Sequence, residues 1–137
     1  MNARRRARRV EFELAGGKDA PAAARRRLTA ELSKRVDAET LYEVNLLLSE
    51  LVTNAVRHGG AGESDRIEID IELRSDSVRV CVTDPGDGFA RPAKPRAHPG
   101  GHGGNGLPLL QELARAWDVE GRKPTRVWFE VELGQAA

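Results

Sequence analysis

Apolar and polar residues alternate along four separate stretches of this chain, and that pattern constrains the fold more than any other feature. A strand with this alternation turns one face to a core and the other to water. The stretches therefore predict a mostly antiparallel sheet that is covered on one side. Turn residues at 74–77 separate two of the stretches and predict a hairpin. The four stretches are 10–14, 67–73, 78–82 and 127–133.

Three predicted helices supply the cover for that sheet. The first spans residues 22–36, with Pro21 in a position that a first helical turn accepts and Asp19 as a possible cap. The second extends from Ala38 to His58, and the third opens at residues 107–110. Their apolar faces comprise Leu41, Val44, Leu48, Leu51, Val52 and Ala55 in the second helix, and Leu110, Leu113, Ala114 and Trp117 in the third. The predicted fold class is α/β (α+β), a two-layer sandwich.

The domain organisation follows from length and charge. The chain has 137 residues, which is the size of one domain. We expect residues 10–137 to form that domain and residues 1–9, with five Arg and no acid, to form a basic, disordered tail. The rest of the chain then has 17 basic and 21 acidic residues, which argues against direct sequence-specific nucleic-acid binding by the fold. The tail could still contact a nucleic acid or an acidic partner.

Composition excludes several other classes of protein. The single cysteine, Cys81, cannot form an internal disulfide or a Cys-rich zinc site. No apolar run approaches the ~18 residues of a membrane span. The basic N-terminus leads into EFELAGG, which is not the apolar core of a signal peptide. We therefore expect a cytoplasmic protein without membrane association.

Glu50, Asn54 and Arg57 share one stripe of the second predicted helix, roughly opposite its apolar face. A solvated polar face explains such a stripe most simply. The alternative is chemical, because a carboxylate can activate a hydroxyl while a carboxamide oxygen one turn away binds a hard cation such as Mg²⁺.

Two glycine-containing segments form the other candidate regions. Residues 84–88, DPGDG, follow a strand directly. They are either an ordinary turn or a site where a carboxylate leaves the strand end and the glycines admit a flat ligand. Residues 100–107 precede the third helix, where exposed backbone N–H groups suit phosphate, although a flexible loop has the same composition. Neither a Walker A loop nor a Rossmann fingerprint is present.

The order of these segments resembles that of the GHKL-type ATPases. Residues 50–58, ELVTNAVRH, resemble the N box of that family, residues 84–88 its G1 box, and residues 104–107, GNGL, its G2 box. PAAARR in helix one, SELVTNAVRHG in helix two and VWFE in the last strand are similar to the stand-alone branch. That branch comprises the anti-sigma factor serine kinases and related bacterial ATP-binding regulators. The resemblance covers roughly residues 10–133.

The resemblance implies a Bergerat fold that binds ATP and Mg²⁺ between helices and sheet. It implies that Glu50 is the general base and that Asn54 ligates Mg²⁺. It also implies that Asp84 accepts a hydrogen bond from the adenine amino group. Residues 89–106 would form a lid over the phosphates. The other ATP-binding positions implied by the resemblance are Arg57, His58, Gly86, Gly88, Gly103, Gly104, Asn105, Gly106, Leu107 and Thr125.

Three functions are compatible with this resemblance. The first is an anti-sigma factor that binds a sigma factor and, as an ATP-dependent serine/threonine protein kinase, phosphorylates the anti-sigma factor antagonist. The second is an ATP-binding regulator that acts by protein contact without kinase activity. The third is the catalytic part of a histidine kinase, which is less favoured because the chain has no long helical segment carrying a phosphoacceptor His. The family also implies a homodimer.

Overall fold

The computed structural model describes residues 8–57, 61–86, 106–121 and 123–134. Within them, five strands form one antiparallel sheet in the order β1-β2-β3-β5-β4. The strands are β1 (Arg8–Ala15), β2 (Arg66–Leu73), β3 (Ser77–Asp84), β4 (Ala116–Glu120) and β5 (Thr125–Glu132). The helices are α1 (Ala20–Leu32), α2 (Ala38–Arg57) and α3 (Gly106–Leu113).

The two faces of the sheet differ as the alternation predicted. Alternate residues of the central strands are buried, whereas the residues between them are half-buried or exposed, except for the buried Ser77 and Glu130. α1 and α2 pack on each other, and α2 packs against β3, β5 and α3. The side chains buried between helices and sheet include Leu28, Leu47, Leu48, Ile67, Ile69, Ile71, Val80, Leu110 and Phe129. The predicted two-layer α+β sandwich is therefore confirmed.

The region after α3 contains a strand that was not predicted. Trp117 was expected to continue the apolar side of the third helix, but α3 ends at Leu113. Residues Ala116–Glu120 instead form β4, in which Trp117 pairs with Phe129 and Val119 with Val127. β5 would otherwise present an unpaired row of N–H and C=O groups, so pairing with β4 satisfies them.

Several element ends differ from the prediction by a few residues. β1 begins at Arg8, so Arg8 and Arg9 belong to the strand, while residues 1–7 of the predicted tail lie outside the described residues. Asp19 precedes α1 but its side chain makes no capping hydrogen bond, and α1 ends at Leu32 rather than at residue 36. α2 extends to Arg57, and its predicted end at His58 is not among the described residues. In the described part of the chain, no helix is long and apolar enough to cross a membrane.

Candidate functional site

Asp84 and Thr125 form a buried polar pair at one end of the sheet. Asp84 ends β3, Thr125 begins β5, and the two residues are partners in the β3–β5 register. Because Asp84 lies two residues from the core residue Val82, and Thr125 two residues from Val127, both side chains point to the helix-covered face. Only 3% of Asp84 and 2% of Thr125 is exposed. A buried carboxylate is costly unless it is hydrogen-bonded, so the contacts of Asp84 are needed to keep it at this strand end.

Two hydrogen bonds connect this pair through Gly86. The backbone N–H of Gly86 donates to Oδ1 of Asp84 at 2.9 Å. The hydroxyl Oγ1 of Thr125 donates to the carbonyl oxygen of Gly86 at 2.8 Å. Gly86 is thus held at both its N–H and its C=O, and the turn after β3 is anchored to β5. The structure brings together three of the predicted site residues, Asp84, Gly86 and Thr125.

Asn54 differs from the prediction that its stripe lies opposite the apolar face. Only 5% of Asn54 is exposed, and its neighbours Val52 and Ala55 are buried as well. Its side-chain nitrogen Nδ2 has no hydrogen-bond partner among the residues that the structure describes. The prediction was wrong about burial because it assumed a single packing partner, whereas α2 contacts α1, α3, β3 and β5.

Glu50 and Arg57 share the helix with Asn54 but differ from it in exposure. Glu50 is half-buried and lies one turn before Asn54. Arg57 is exposed in the last turn of α2, where a positive charge complements the partial negative charge of the helix end. α2 therefore carries a buried amide and a half-buried acidic residue within one turn.

The remaining predicted site residues are described only in part. Gly106 is the first residue of α3, and Leu107 follows it in the same helix. The side chain of Leu107 lies outside the described residues, as do His58, Gly88, Gly103, Gly104 and Asn105. Their predicted contacts with phosphates remain predictions.

The polar side chains at this site include groups that can bind a nucleotide phosphate and its Mg²⁺. The described residues hold no group of three or more His, Cys, Asp or Glu side chains that could bind a metal ion by themselves. Mg²⁺ does not require one, since it commonly takes one or two protein oxygens and fills its shell with water and substrate phosphates. The buried amide of Asn54 has one oxygen of the right type and one N–H₂ group for which the described residues supply no acceptor. A phosphate oxygen would supply that acceptor.

The helix-free face of the sheet has a cavity that the sequence did not reveal. Its volume is about 650 Å³, and Glu68, Asp70, Arg79 and Trp128 are among its lining residues. The guanidinium group of Arg79 lies 3.9 Å from the centre of the Trp128 ring. Cys81 lies in the floor, where burial raises the pKa of its thiol, as expected of a packed cysteine. The charged residues that alternate with the core residues in each strand were the only feature of the sequence that could have indicated this cavity. This cavity is on the opposite face from Asp84 and Thr125.

Comparisons with known proteins connect this arrangement to a family. The family model described as the histidine kinase-like ATPase domain matches residues 17–130. A solved structure of the RsbU and RsbW domains of Rv1364c from Mycobacterium tuberculosis is similar, with a TM-score of 0.73 and 21% sequence identity. The match covers 95% of this chain and 34% of that chain, so this chain spans about a third of its length. No curated protein sequence matches significantly.

Proposed function

This chain belongs to the histidine kinase-like ATPase domain family, as its resemblance to the GHKL-type ATPases predicted, and from that membership we propose that it is an ATP-dependent anti-sigma factor kinase. In this proposal it binds a sigma factor in the bacterial cytoplasm and phosphorylates a serine or threonine of the antagonist protein, and it does so as a homodimer. The observation that carries the proposal is the buried Asp84, held beside Thr125 at a strand end.

Asp84 suits the recognition of adenine. Its carboxylate is an acceptor, and the exocyclic amino group of adenine is a donor. Guanine has a carbonyl oxygen at the same ring position, which a carboxylate repels. A site that hydrogen-bonds one such group can reject the analogue lacking it by about 10⁴-fold. Gly86, without a side chain, leaves room for the base beside the turn.

Asn54 and Arg57 suit the phosphate end of the nucleotide. The Asn54 amide would contribute its oxygen to Mg²⁺ and its N–H₂ group to a phosphate oxygen, which would pair the unsatisfied donor. Mg²⁺, when bound, neutralises charge that develops between the β- and γ-phosphates. Arg57 is exposed at the end of the same helix, so its positive charge can reach phosphate without a cost of burial. The predicted lid would complete this half of the site.

In the proposed transfer step, Glu50 would accept the proton. The hydroxyl oxygen of the antagonist's serine forms a bond to the γ-phosphorus, and the bond from that phosphorus to the β–γ bridging oxygen breaks. ADP leaves, and the hydroxyl proton passes to the Glu50 carboxylate. Because Glu50 is only half-buried, a side chain of a second protein can approach it. General-base catalysis of this kind contributes about 10²–10⁴-fold.

The test combines ATP binding with transfer of a labelled phosphoryl group to a candidate antagonist. We expect Glu50→Gln to bind ATP like the parent but to transfer about 10²–10⁴-fold more slowly. Asp84→Ala should lose ATP affinity. The control is Glu39→Gln, which removes an exposed carboxylate in the first turn of α2 and should change neither ATP binding nor phosphoryl transfer. Tight ATP binding without transfer to any antagonist would contradict the kinase and favour a regulator that acts by contact alone.

A further inference from the structure

The hydroxyl group of Thr125 is already committed within the protein. It has one proton to donate, and the carbonyl oxygen of Gly86 accepts it at 2.8 Å. Thr125 is buried, so water does not readily compete for this bond. While the bond is made, the hydroxyl can accept a further hydrogen bond but cannot donate one.

This hydrogen bond limits the contacts that the Thr125 hydroxyl can make with a purine base. The ring nitrogens of adenine that face a binding site are acceptors, and they require a donor. Thr125 cannot supply that donor without giving up Gly86. The bond also prevents the hydroxyl from donating to the O6 carbonyl of guanine. In the resting site, the hydroxyl proton therefore lies on the Gly86 carbonyl oxygen and not toward a base.

Gly86 is held by two residues that are partners across the sheet. Asp84 accepts from its N–H group at 2.9 Å, and Thr125 donates to its C=O group. The two bonds hold the N–H and the C=O of the same residue, on either side of its Cα, and both come from residues that are partners in the β3–β5 register. Removing the Thr125 bond frees the carbonyl side, which loosens the turn and the ring that Asp84 forms with it.

From this geometry we infer that Thr125 is a positioning residue for nucleotide specificity, acting through Gly86 rather than by contact with the base. The inference rests on the proposed ATP site and says how the turn that carries Gly86 is held in place. Thr125 holds the turn after β3 in the conformation that presents Asp84 to the adenine amino group. It also keeps its own proton away from a guanine carbonyl.

The experiment compares Thr125→Val with Thr125→Ser, which retains the hydroxyl. We expect Thr125→Val to lose about threefold to tenfold in ATP affinity, the effect of one hydrogen bond, and to discriminate less between ATP and GTP. Thr125→Ser should restore both. The matched control is Thr83→Val, because Thr83 neighbours Asp84 in β3 but lies on the helix-free face.

A second measurement, hydrogen exchange of the Gly86 amide without nucleotide, separates the inference from its alternatives. We expect faster exchange at Gly86 in Thr125→Val, with Ile69 and Val80 in the sheet unchanged and Thr125→Ser like the parent. Loss of ATP affinity with unchanged Gly86 exchange would show a direct contact and overturn the inference. Faster exchange throughout the sheet would show general destabilisation and also overturn it. A parent protein that protects Gly86 but does not bind ATP would refute the proposed function instead.

Discussion

Asn54 is the residue at which a substitution should affect nucleotide binding much more than the stability of the fold. A buried donor without a partner costs about 1–3 kcal/mol, and Nδ2 of Asn54 finds none among the described residues, so a purely structural role does not explain an amide there. We predict that Asn54→Ala changes the free energy of unfolding by less than about 1 kcal/mol, because the loss of the unsatisfied group offsets the small cavity. The same variant should lose the Mg²⁺-dependent part of ATP affinity. Denaturant unfolding and nucleotide titrations with and without Mg²⁺ measure the two effects.

Asn45 provides the control for that prediction. It is an asparagine of the same helix, and its amide donates to the hydroxyl of Thr29 on α1 at 3.1 Å. Asn45→Ala should therefore weaken helix packing slightly and leave the Mg²⁺ dependence of binding intact. If Asn54→Ala were strongly destabilised and still bound Mg²⁺-ATP like the parent, the role of Asn54 would be structural.

The contrast between Asp84 and Asn54 shows what sequence could predict at this scale. Asp84 follows an alternating strand directly, so its place at a strand end was readable from neighbours in the chain. Its partner Thr125 was assigned to the site by family resemblance alone, because sheet pairing between distant residues leaves no local pattern. The burial of Asn54 was unpredictable for a similar reason, since α3 and the sheet approach α2 from different directions.

Elements with long, regular patterns were predicted well, and short elements that depend on a partner were not. β2 and β3 have four and three alternating apolar residues, and α2 has six at helical spacing, so each pattern was unambiguous. β4 has only five residues, and Trp117 fits both helical spacing from Leu113 and alternation with Val119. The ladder with β5 decides between them, and pairing of this kind is set by tertiary context.

The turn between β1 and α1 makes a prediction at the scale of elements. Gly16 and Gly17 donate backbone hydrogen bonds to Asp65 and Ala61, which connect this turn to the segment before β2. A methyl group on Gly16 would lie 2.5 Å from the carbonyl oxygen of Ala61, and backbone at this distance cannot give way cheaply. Gly16→Ala should therefore destabilise the protein by about 1–3 kcal/mol, measured by denaturant unfolding.

Gly62 lies on the other side of the same contact and provides the comparison. Among the described residues, a methyl group on Gly62 would meet only the carboxylate of Asp65, at 4.0 Å. Gly62→Ala should therefore leave the free energy of unfolding nearly unchanged. Equal effects of the two substitutions would show that loss of glycine flexibility, rather than the close approach of two backbones, determines the cost.

At the scale of the whole molecule, hydrogen-bonded carboxylates connect distant parts of the fold. Because these contacts are lost when the carboxylates are protonated, the protein becomes less stable in acid. The guanidinium group of Arg8 lowers the pKa of Glu31, joining β1 to α1. Arg115 lowers the pKa of Asp76, joining the start of β4 to the β2–β3 turn. The hydroxyl and amide of Thr40 lower the pKa of Asp37, which caps α2. Glu43 opposes them, because burial, then Glu39, then Asp37 raise its pKa.

The sign of the pH dependence follows from these directions. A carboxyl whose folded-state pKa is lowered stabilises the fold above its unfolded-state pKa, and that stability is lost as the pH falls through the folded-state value. Glu43 acts in the opposite sense, since its stabilising effect is lost as the pH rises. With three groups against one, we predict that the free energy of unfolding decreases between about pH 5 and about pH 2.

Urea unfolding at successive pH values measures this slope, and single substitutions assign it. Asp76→Asn should flatten the acid side of the profile, because it removes a titrating group that Arg115 holds ionised. Glu112→Gln removes an exposed carboxylate that has no ion pair in the described part of the chain, and it should leave the slope unchanged. Salt should weaken the contributions of the arginine pairs, which are partly exposed, because counterions screen them. A profile that stays flat down to about pH 2 would mean that these carboxyls have the same pKa in the folded and unfolded states, and it would contradict the prediction.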